Sequence, residues 1–299
     1  MKEWKNTLKR ICERLGRDYP KEWISFRYFM RFHKNIHWKH PRNLNEKILY
    51  LSIMTDTTQW TDLADKYRVR KYVSDCGFQN NLVDLYGVWK DARDIDFSQL
   101  PMSFVLKTNH GSGEIKIIKD KNKIDKEQLI SYFNKAIAQP YGAIESGKHY
   151  LRISPCIIAE QLLSSDAVSQ KYSKSIIDYK LWCFNGKVQY IFICSNRDEH
   201  GLDIMMYDKD WNALPEYCVF SKHYRRGEML PKPANLSEMI SMAEKLAHPF
   251  PCVRVDLYSV NENIYFGEMT FTSLGGLMNY FSDDFLNKAG DLIDLNYKG

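Results

Sequence analysis

No stretch of this chain approaches the roughly 18 uninterrupted apolar residues of a membrane-spanning helix. Its first twenty residues, MKEWKNTLKRICERLGRDYP, hold no apolar core of the kind a secretory signal peptide requires. Both absences lead to the expectation of a cytoplasmic protein. Cysteine is sparse: Cys12, Cys76, Cys156, Cys183, Cys194, Cys218 and Cys252 are odd in number, widely spread and mostly inside apolar runs, which argues against a disulfide frame or a zinc site. Among the eight histidines, His33 and His37 stand one helical turn apart, but no acid or cysteine accompanies them at ligand spacing. No Gly-Lys-Ser/Thr leads into a helix, so a P-loop is excluded. Neither an internal repeat nor a low-complexity tract is present.

What is present suffices for two or three globular units, since 44% of the 299 residues are hydrophobic and 26% are charged. The net charge of +5 is uneven, with thirteen Lys and Arg against five Asp and Glu in residues 1–50. That segment is also aromatic, through Trp4, Tyr19, Trp23, Phe26, Tyr28, Phe29, Phe32 and Trp38. Such a surface suits an anionic glycan or the inner face of a membrane, and no nucleic acid is expected as partner. A solvated basic face over aromatic packing has the same composition.

Residues 252–276, CVRVDLYSVNENIYFGEMTFTSLGG, place two carboxylates where a sheet alone would not want them. Residues 253–260 and 264–271 alternate with the period of two of strands, and Asn-Glu-Asn between them is a turn cluster. A hairpin symmetric about Glu262 sets Asp256 opposite Glu268 and Arg254 opposite Thr270. Directly opposed like charges destabilise a strand pair unless a cation or a shared proton lies between them. Magnesium is the economical cation, being held by one or two carboxylates plus nucleotide phosphates. A loop of even length would instead send one carboxylate to the other face.

Helical spacing of Trp4, Leu8, Ile11 and Leu15 predicts a helix over 2–16 ended near Gly16, a second from Trp23, and others over 45–54 and 58–75. A strand over 82–89 precedes a connector at 94–101, where the first domain boundary is placed. Strands over 104–107 and 114–118 flank Thr-Asn-His-Gly-Ser-Gly, a glycine hairpin whose backbone N–H groups and Lys107 suit a phosphate. A helix over 125–138 starts on an Asp cap, and a buried strand over 157–163 carries one acid, Glu160. Strands over 176–184 and 188–193 flank Asn185-Gly186, the strongest hairpin signal in the chain. Asp178, Lys180 and Trp182 share a face. Asn235 and Glu238 read as a capping box for the last long helix.

In this order, Lys107 with its glycine hairpin, Glu160-Gln-Leu-Leu, Asp178-Tyr-Lys, Arg254-Val-Asp256 and Glu268-Met-Thr270 resemble the nucleotide-binding elements of the ATP-grasp superfamily. The resemblance covers most of the chain and is nearest to the branch of the teichuronopeptide-synthesis protein, found among polysaccharide gene sets. It also draws on Asn45-Glu46-Lys47, the run from Ala64 to Arg70, and Cys183-Phe-Asn-Gly186. The fold it implies is α+β, with two α+β subdomains (101–163 and 164–299) gripping ATP, preceded by a mostly helical N-terminal region (1–100). It implies that Lys107 holds the phosphates, with His110, Gly111, Ser112 and Gly113 closing over them. Glu160, Gln161, Leu162 and Leu163 would hold adenine, Asp178 the ribose, and Lys180 a second phosphate position. Asp256 and Glu268 would bind Mg²⁺. Thr270 stands where many relatives carry asparagine, which puts a second metal in doubt. Arg254 and Arg197 would stabilise developing charge, and Asp65, Lys66 and Arg70 are substrate candidates by position.

The implied chemistry is ATP- and Mg²⁺-dependent ligation of a carboxylate to an amine through an acyl phosphate. By family analogy the carboxylate is a uronic acid of a cell-surface polysaccharide or its precursor, and the amine an amino acid or small amine. Three other readings stand beside it. Asp208-Lys209-Asp210 matches the Asp-x-Asp with which many glycosyltransferases hold Mn²⁺ and a nucleotide-sugar, although it is also an ordinary turn. An ATP-grasp kinase would stop at phosphoryl transfer. A non-catalytic adaptor would dock through the basic aromatic segment and dispense with Asp256 and Glu268.

Overall fold

The computed structural model describes residues 2–299, with side chains from residue 4 onward. In chain order its helices and strands are α1 (Lys2–Asp18), α2 (Pro20–Phe32), α3 (Leu44–Met54), α4 (Thr58–Ala64), α5 (Val69–Asp75), β1 (Leu85–Trp89), β2 (Phe104–Thr108), β3 (Ile115–Ile118), α6 (Lys126–Ile137), α7 (Lys148–Leu151) and β4 (Ile157–Glu160). There follow β5 (Asp178–Phe184), β6 (Lys187–Ser195), β7 (Leu202–Asp208), β8 (Tyr224–Arg226), α8 (Leu236–Ala247), β9 (Cys252–Val260), β10 (Asn263–Thr270) and α9 (Asp283–Asp291). The fold is α+β, with a helical N-terminal region followed by two sheets. Among the described residues no helix is long and apolar enough to cross a membrane.

Two compact units share these elements, each drawn from separated segments. Unit 1 comprises Met1–Arg27, Asp56–Tyr72 and Val83–Leu162; unit 2 comprises Tyr28–Thr55, Val73–Leu82 and Leu163–Gly299. The break expected near residue 100 does not divide the chain, because β1 lies before it and pairs with β4 beyond it.

Unit 1 is built on a sheet of order β1-β4-β2-β3, all pairs antiparallel. Alternation along β2 buries Phe104 and Leu106, which join Ile118, Ile157 and Ala159 beneath Leu129 and Phe133 of α6. The carboxylate of Asp125 caps α6 by accepting from the Gln128 N–H. Two helix ends differ from expectation. Helix α1 does not stop at Gly16, which is buried where a Cβ would lie 2.0 Å from the Ala143 carbonyl oxygen, so the glycine permits close packing. The helix expected over 58–75 is two, broken where the Asp65 carboxylate accepts from the N–H groups of Tyr67 (2.8 Å) and Arg68 (3.2 Å).

Unit 2 is built on a six-stranded sheet of order β10-β9-β5-β6-β7-β8, antiparallel except for β7–β8. Asn185 and Gly186 both have positive φ, as the tight turn between β5 and β6 requires. Helix α8 packs on one face of the sheet, and its apolar stripe, Met239, Met242, Ala243 and Leu246, is buried. Asn235 does not cap α8 with its side chain; its amide instead donates to Ser259 Oγ (3.0 Å) and the Glu262 carbonyl (2.8 Å), pinning the tip of the β9–β10 hairpin. His37, read as lacking an acidic partner, meets Glu46 at 2.9 Å, a single pair that also receives the Arg42 N–H.

Candidate active site

The site grows from the β9–β10 register. Its turn is the two-residue Asn261-Glu262, both at positive φ, and near it the pairing runs Val260–Asn263 through Leu257–Phe266. This is the even loop that would separate the two carboxylates. A bulge at Gly267 adds one residue to β10, and beyond it Glu268 pairs with Asp256 and Thr270 with Arg254. A Cβ on Gly267 would lie 3.0 Å from the Asp256 carbonyl oxygen, so the bulge is packed tightly against the strand it re-registers.

Strand β5 lies on the other side of β9 and sets Lys180 beside Asp256 and Trp182 beside Arg254. Two rows therefore cross three strands on one face: Lys180, Asp256, Glu268 and, two residues along, Trp182, Arg254, Thr270. The Arg254 guanidinium takes Asp256 in a fork, Nε to Oδ1 at 2.6 Å and Nη2 to Oδ2 at 2.8 Å, and reaches Glu268 Oε1 (3.2 Å) and Thr270 Oγ1 (3.0 Å). Lys180 Nζ lies 2.5 Å from Asp256 Oδ2 and 3.5 Å from Asp178. The cation required between the opposed acids is thus supplied by the chain itself.

Asp256 is 1% exposed. Burial alone would raise its pKa, but Arg254 and Lys180 more than offset that and hold it at about 2. Burial acts to lower the Lys180 pKa, and Asp178 and Asp256 reverse it into a rise. Glu268 differs: its side chain is 40% exposed and both contacts to it, from Arg254 and Thr270, use Oε1. It is the carboxylate most accessible to a ligand.

Ser273 and Tyr280 stand behind Arg254 and were not singled out in the sequence. Ser273 Oγ accepts from Arg254 Nη1 and lies 3.3 Å from the Tyr280 hydroxyl. The Leu274-Gly275-Gly276 turn that presents Ser273 has three successive positive φ values, and a Cβ on Gly276 would meet Leu49 at 2.6 Å. The Gly-Gly pair was the available signal. Arg197, expected with Arg254, instead reaches Asp178 at 3.3 Å from an exposed position. The charge of Asp178, followed by burial, pushes the Tyr258 hydroxyl well above its usual range.

In unit 1, Lys107 on β2 points at Glu160 on the neighbouring β4, Nζ to Oε2 at 2.5 Å, and Arg70 approaches the same carboxylate at 3.5 Å. Beyond Lys107, Gly111 is buried while Ser112 and Gly113 form an exposed tip; Gly113, at φ +92°, has open space where a Cβ would stand, so conformation alone selects glycine there. His110 is buried, with Nε2 3.2 Å from the Gln139 carbonyl; burial lowers its pKa and keeps the ring neutral near pH 7.

The three substrate candidates by position have structural partners. Lys66 Nζ donates to the Gly111 carbonyl at 2.5 Å, and its N–H to the Asn109 carbonyl at 3.0 Å. Asp65 ends α4 and holds the turn that leads into α5, and burial raises its pKa. Arg70 also donates to the Val83 carbonyl. Of the adenine residues, Gln161 has its N–H engaged by the Asp84 carbonyl at 2.9 Å. In Asp208-Lys-Asp210, Asp208 accepts from the N–H groups of Asp210 and Asn212 and from the Asn212 amide, while Lys209 binds Asp210. That motif is a saturated turn.

Residues 43–294 match the model of the TupA-like ATP-grasp family. The chain belongs to that family. No curated protein matches it. Among solved structures, an L-amino acid ligase from Bacillus licheniformis is 11% identical with a TM-score of 0.50, covering 89% of this chain and 58% of its own. A D-alanine–D-alanine ligase from Bacillus anthracis is 19% identical with a TM-score of 0.44, covering 77% of this chain and 62% of that one. The Helicobacter pylori D-alanine–D-alanine ligase is 16% identical with a TM-score of 0.42, covering 82% and 62%. This ATP-grasp chain thus spans about three-fifths of the length of those enzymes. Both oxygens of Asp256 are engaged by Arg254 and Lys180, whereas Glu268 is 40% exposed and is contacted only through Oε1, so Glu268 is the carboxylate of the pair open to a hard divalent cation. Among the described residues no group of three or more acidic, His or Cys side chains is placed to hold a metal ion by itself.

Proposed function

We propose that this ATP-grasp protein is an ATP- and Mg²⁺-dependent carboxylate–amine ligase. The observation that carries the reading is the row Lys180, Asp256, Glu268 with Arg254 laid across it: two cations and two carboxylates fixed on neighbouring strands. Asp256 and Glu268 would hold the metal, with Thr270 adding a hydroxyl beside them. Bound Mg²⁺ would neutralise charge on the terminal phosphates.

Lys107 and the loop from His110 to Gly113 are the proposed phosphate contacts of unit 1, Glu160 to Leu163 the proposed adenine contacts, and Asp178 the ribose contact. Lys180 is the proposed phosphate contact of unit 2. Arg254, fixed by Asp256 and Ser273, stabilises charge as the substrate carboxylate takes the phosphoryl group and again as the amine attacks the acyl phosphate and phosphate leaves. No nucleophilic side chain is needed, because the carboxylate is the nucleophile and Arg254, held in place beforehand, need not reorganise.

The proposed carboxylate is a uronic acid of a cell-surface polysaccharide or its precursor, and the amine an amino acid or small amine; family analogy supports this choice. If that precursor is carried on a lipid, the enzyme works at a membrane surface. The test is ADP release over a panel of carboxylates and amines, with hydroxylamine as a trap. Hydroxamate formed from a carboxylate, ATP and Mg²⁺ supports the ligase. A stable phosphorylated product insensitive to hydroxylamine would replace it with a kinase.

A further inference from the structure

Helix α1 carries an apolar stripe that stands in solvent. Trp4, Leu8 and Ile11 succeed one another at intervals of four and three, so they line one face, and they are 62%, 45% and 49% exposed. Leu15 continues the same line and is half-buried, next to the close contact of Gly16 with Ala143. The helix is therefore anchored at its C-terminal end, while every described residue from Trp4 to Ile11 is exposed.

The charges around the stripe are mostly of one sign. At 100° per residue Lys5 stands on one shoulder of the stripe and Arg14 on the other, with Lys9, Arg10 and Arg17 behind, and all five are exposed. Among the described side chains of this helix, the acids are drawn to their own cations, Glu13 to Lys9 at 3.6 Å and Asp18 to Arg14 at 3.3 Å. Tyr19 and Phe26, also exposed, add amphipathic and aromatic surface beyond the helix end.

A partner for this face must be apolar in the middle and anionic at the rim. Trp, Leu and Ile between basic shoulders form the pattern of a helix lying in a bilayer interface, and anionic headgroups attract such cations. We propose that α1 docks the protein on an anionic lipid bilayer, with Trp4, Leu8 and Ile11 entering the boundary between headgroups and acyl chains and Lys5 and Arg14 meeting lipid phosphates. This goes beyond the ligase reading and does not rest on it.

The test is flotation of the full chain with vesicles rich in phosphatidylglycerol, against vesicles of phosphatidylcholine alone, in low and high salt. Wild type floats with the anionic vesicles and is released as salt shortens the screening length. Trp4→Ser/Leu8→Ser/Ile11→Ser weakens the partition at least about tenfold, and Lys5→Gln/Arg14→Gln weakens it several-fold on anionic vesicles only. Both variants keep the wild-type melting temperature, because the altered side chains are exposed. The proposal is overturned if wild type binds neither vesicle, or if the triple variant binds as well as wild type. A dimer that the triple variant turns into a monomer also overturns it, since the stripe then belongs to a second copy. No readout involves nucleotide, so its failure and that of the ligase reading are distinguishable.

Discussion

Replacing Asp256 with Asn is the substitution whose cost the structure fixes best. The change keeps size and shape but removes the one charge that Arg254 takes in a fork and Lys180 meets at 2.5 Å. The Asn amide turns a donor towards these cations, and two buried positive groups lose their shared counter-charge. Breaking a buried ion pair from one side costs about 3–5 kcal/mol. For a chain of this size that lowers the melting temperature of unit 2 by about 6–15 °C.

Acid narrows the gap between variant and wild type. The folded pKa of Asp256, about 2, lies below its ordinary 3.8. Its contribution is therefore complete above about pH 4 and is lost as pH falls through about 2, amounting to about 2–3 kcal/mol over that window. Calorimetry and urea unfolding of both proteins at several pH values measure this. A variant within about 1 kcal/mol of wild type near neutrality, or a gap that does not narrow in acid, would refute the buried-network account.

Four other outcomes follow from the same geometry. Glu268→Gln, at the half-exposed end of the row, costs no more than about 1 kcal/mol but abolishes ATP-dependent ADP release, so its melting curve and its turnover part company. Gly267→Ala presses a methyl on the Asp256 carbonyl and destabilises by about 1–3 kcal/mol in urea unfolding; a neutral result would mean that the bulge is loosely packed. Lys66→Met frees the Gly111 carbonyl, so amide exchange across Gly111 to Gly113 quickens and KM for ATP rises, with a smaller change in kcat. Asp208→Asn/Asp210→Asn leaves ADP release unchanged, and its loss on this double variant would return the site to the Asp-x-Asp turn.

Much of the architecture was legible because local signals agreed with one another. Alternation, the Asn-Gly turn and the Asp cap on α6 each name an element by themselves, and the α+β layout follows from them. The pairing of Asp256 with Glu268 was also foreseen, although through an odd loop. The molecule uses an even turn and corrects it with a bulge at Gly267, and a glycine inside a strand was the trace of it. The boundary near residue 100 failed because pattern reading follows the chain, whereas β1 and β4, far apart in sequence, pair in space. Ser273 and Tyr280 could not be found by spacing, since their partner, Arg254, is brought to them only by the fold. The opposed acids implied a cation, but a sequence cannot tell an arginine two residues away from a bound metal, and in the structure it is Arg254 that lies between them.

The central claim is that the Asp256–Glu268 row holds Mg²⁺-nucleotide. Calorimetric titration of a non-hydrolysable ATP analogue, with and without Mg²⁺, into wild type and Glu268→Gln tests it directly. The account predicts saturable, Mg²⁺-dependent binding to wild type that the variant weakens at least about tenfold. It is contradicted if wild type binds no analogue, if metal and variant make no difference, or if only a UDP-sugar with Mn²⁺ binds and the binding depends on Asp208.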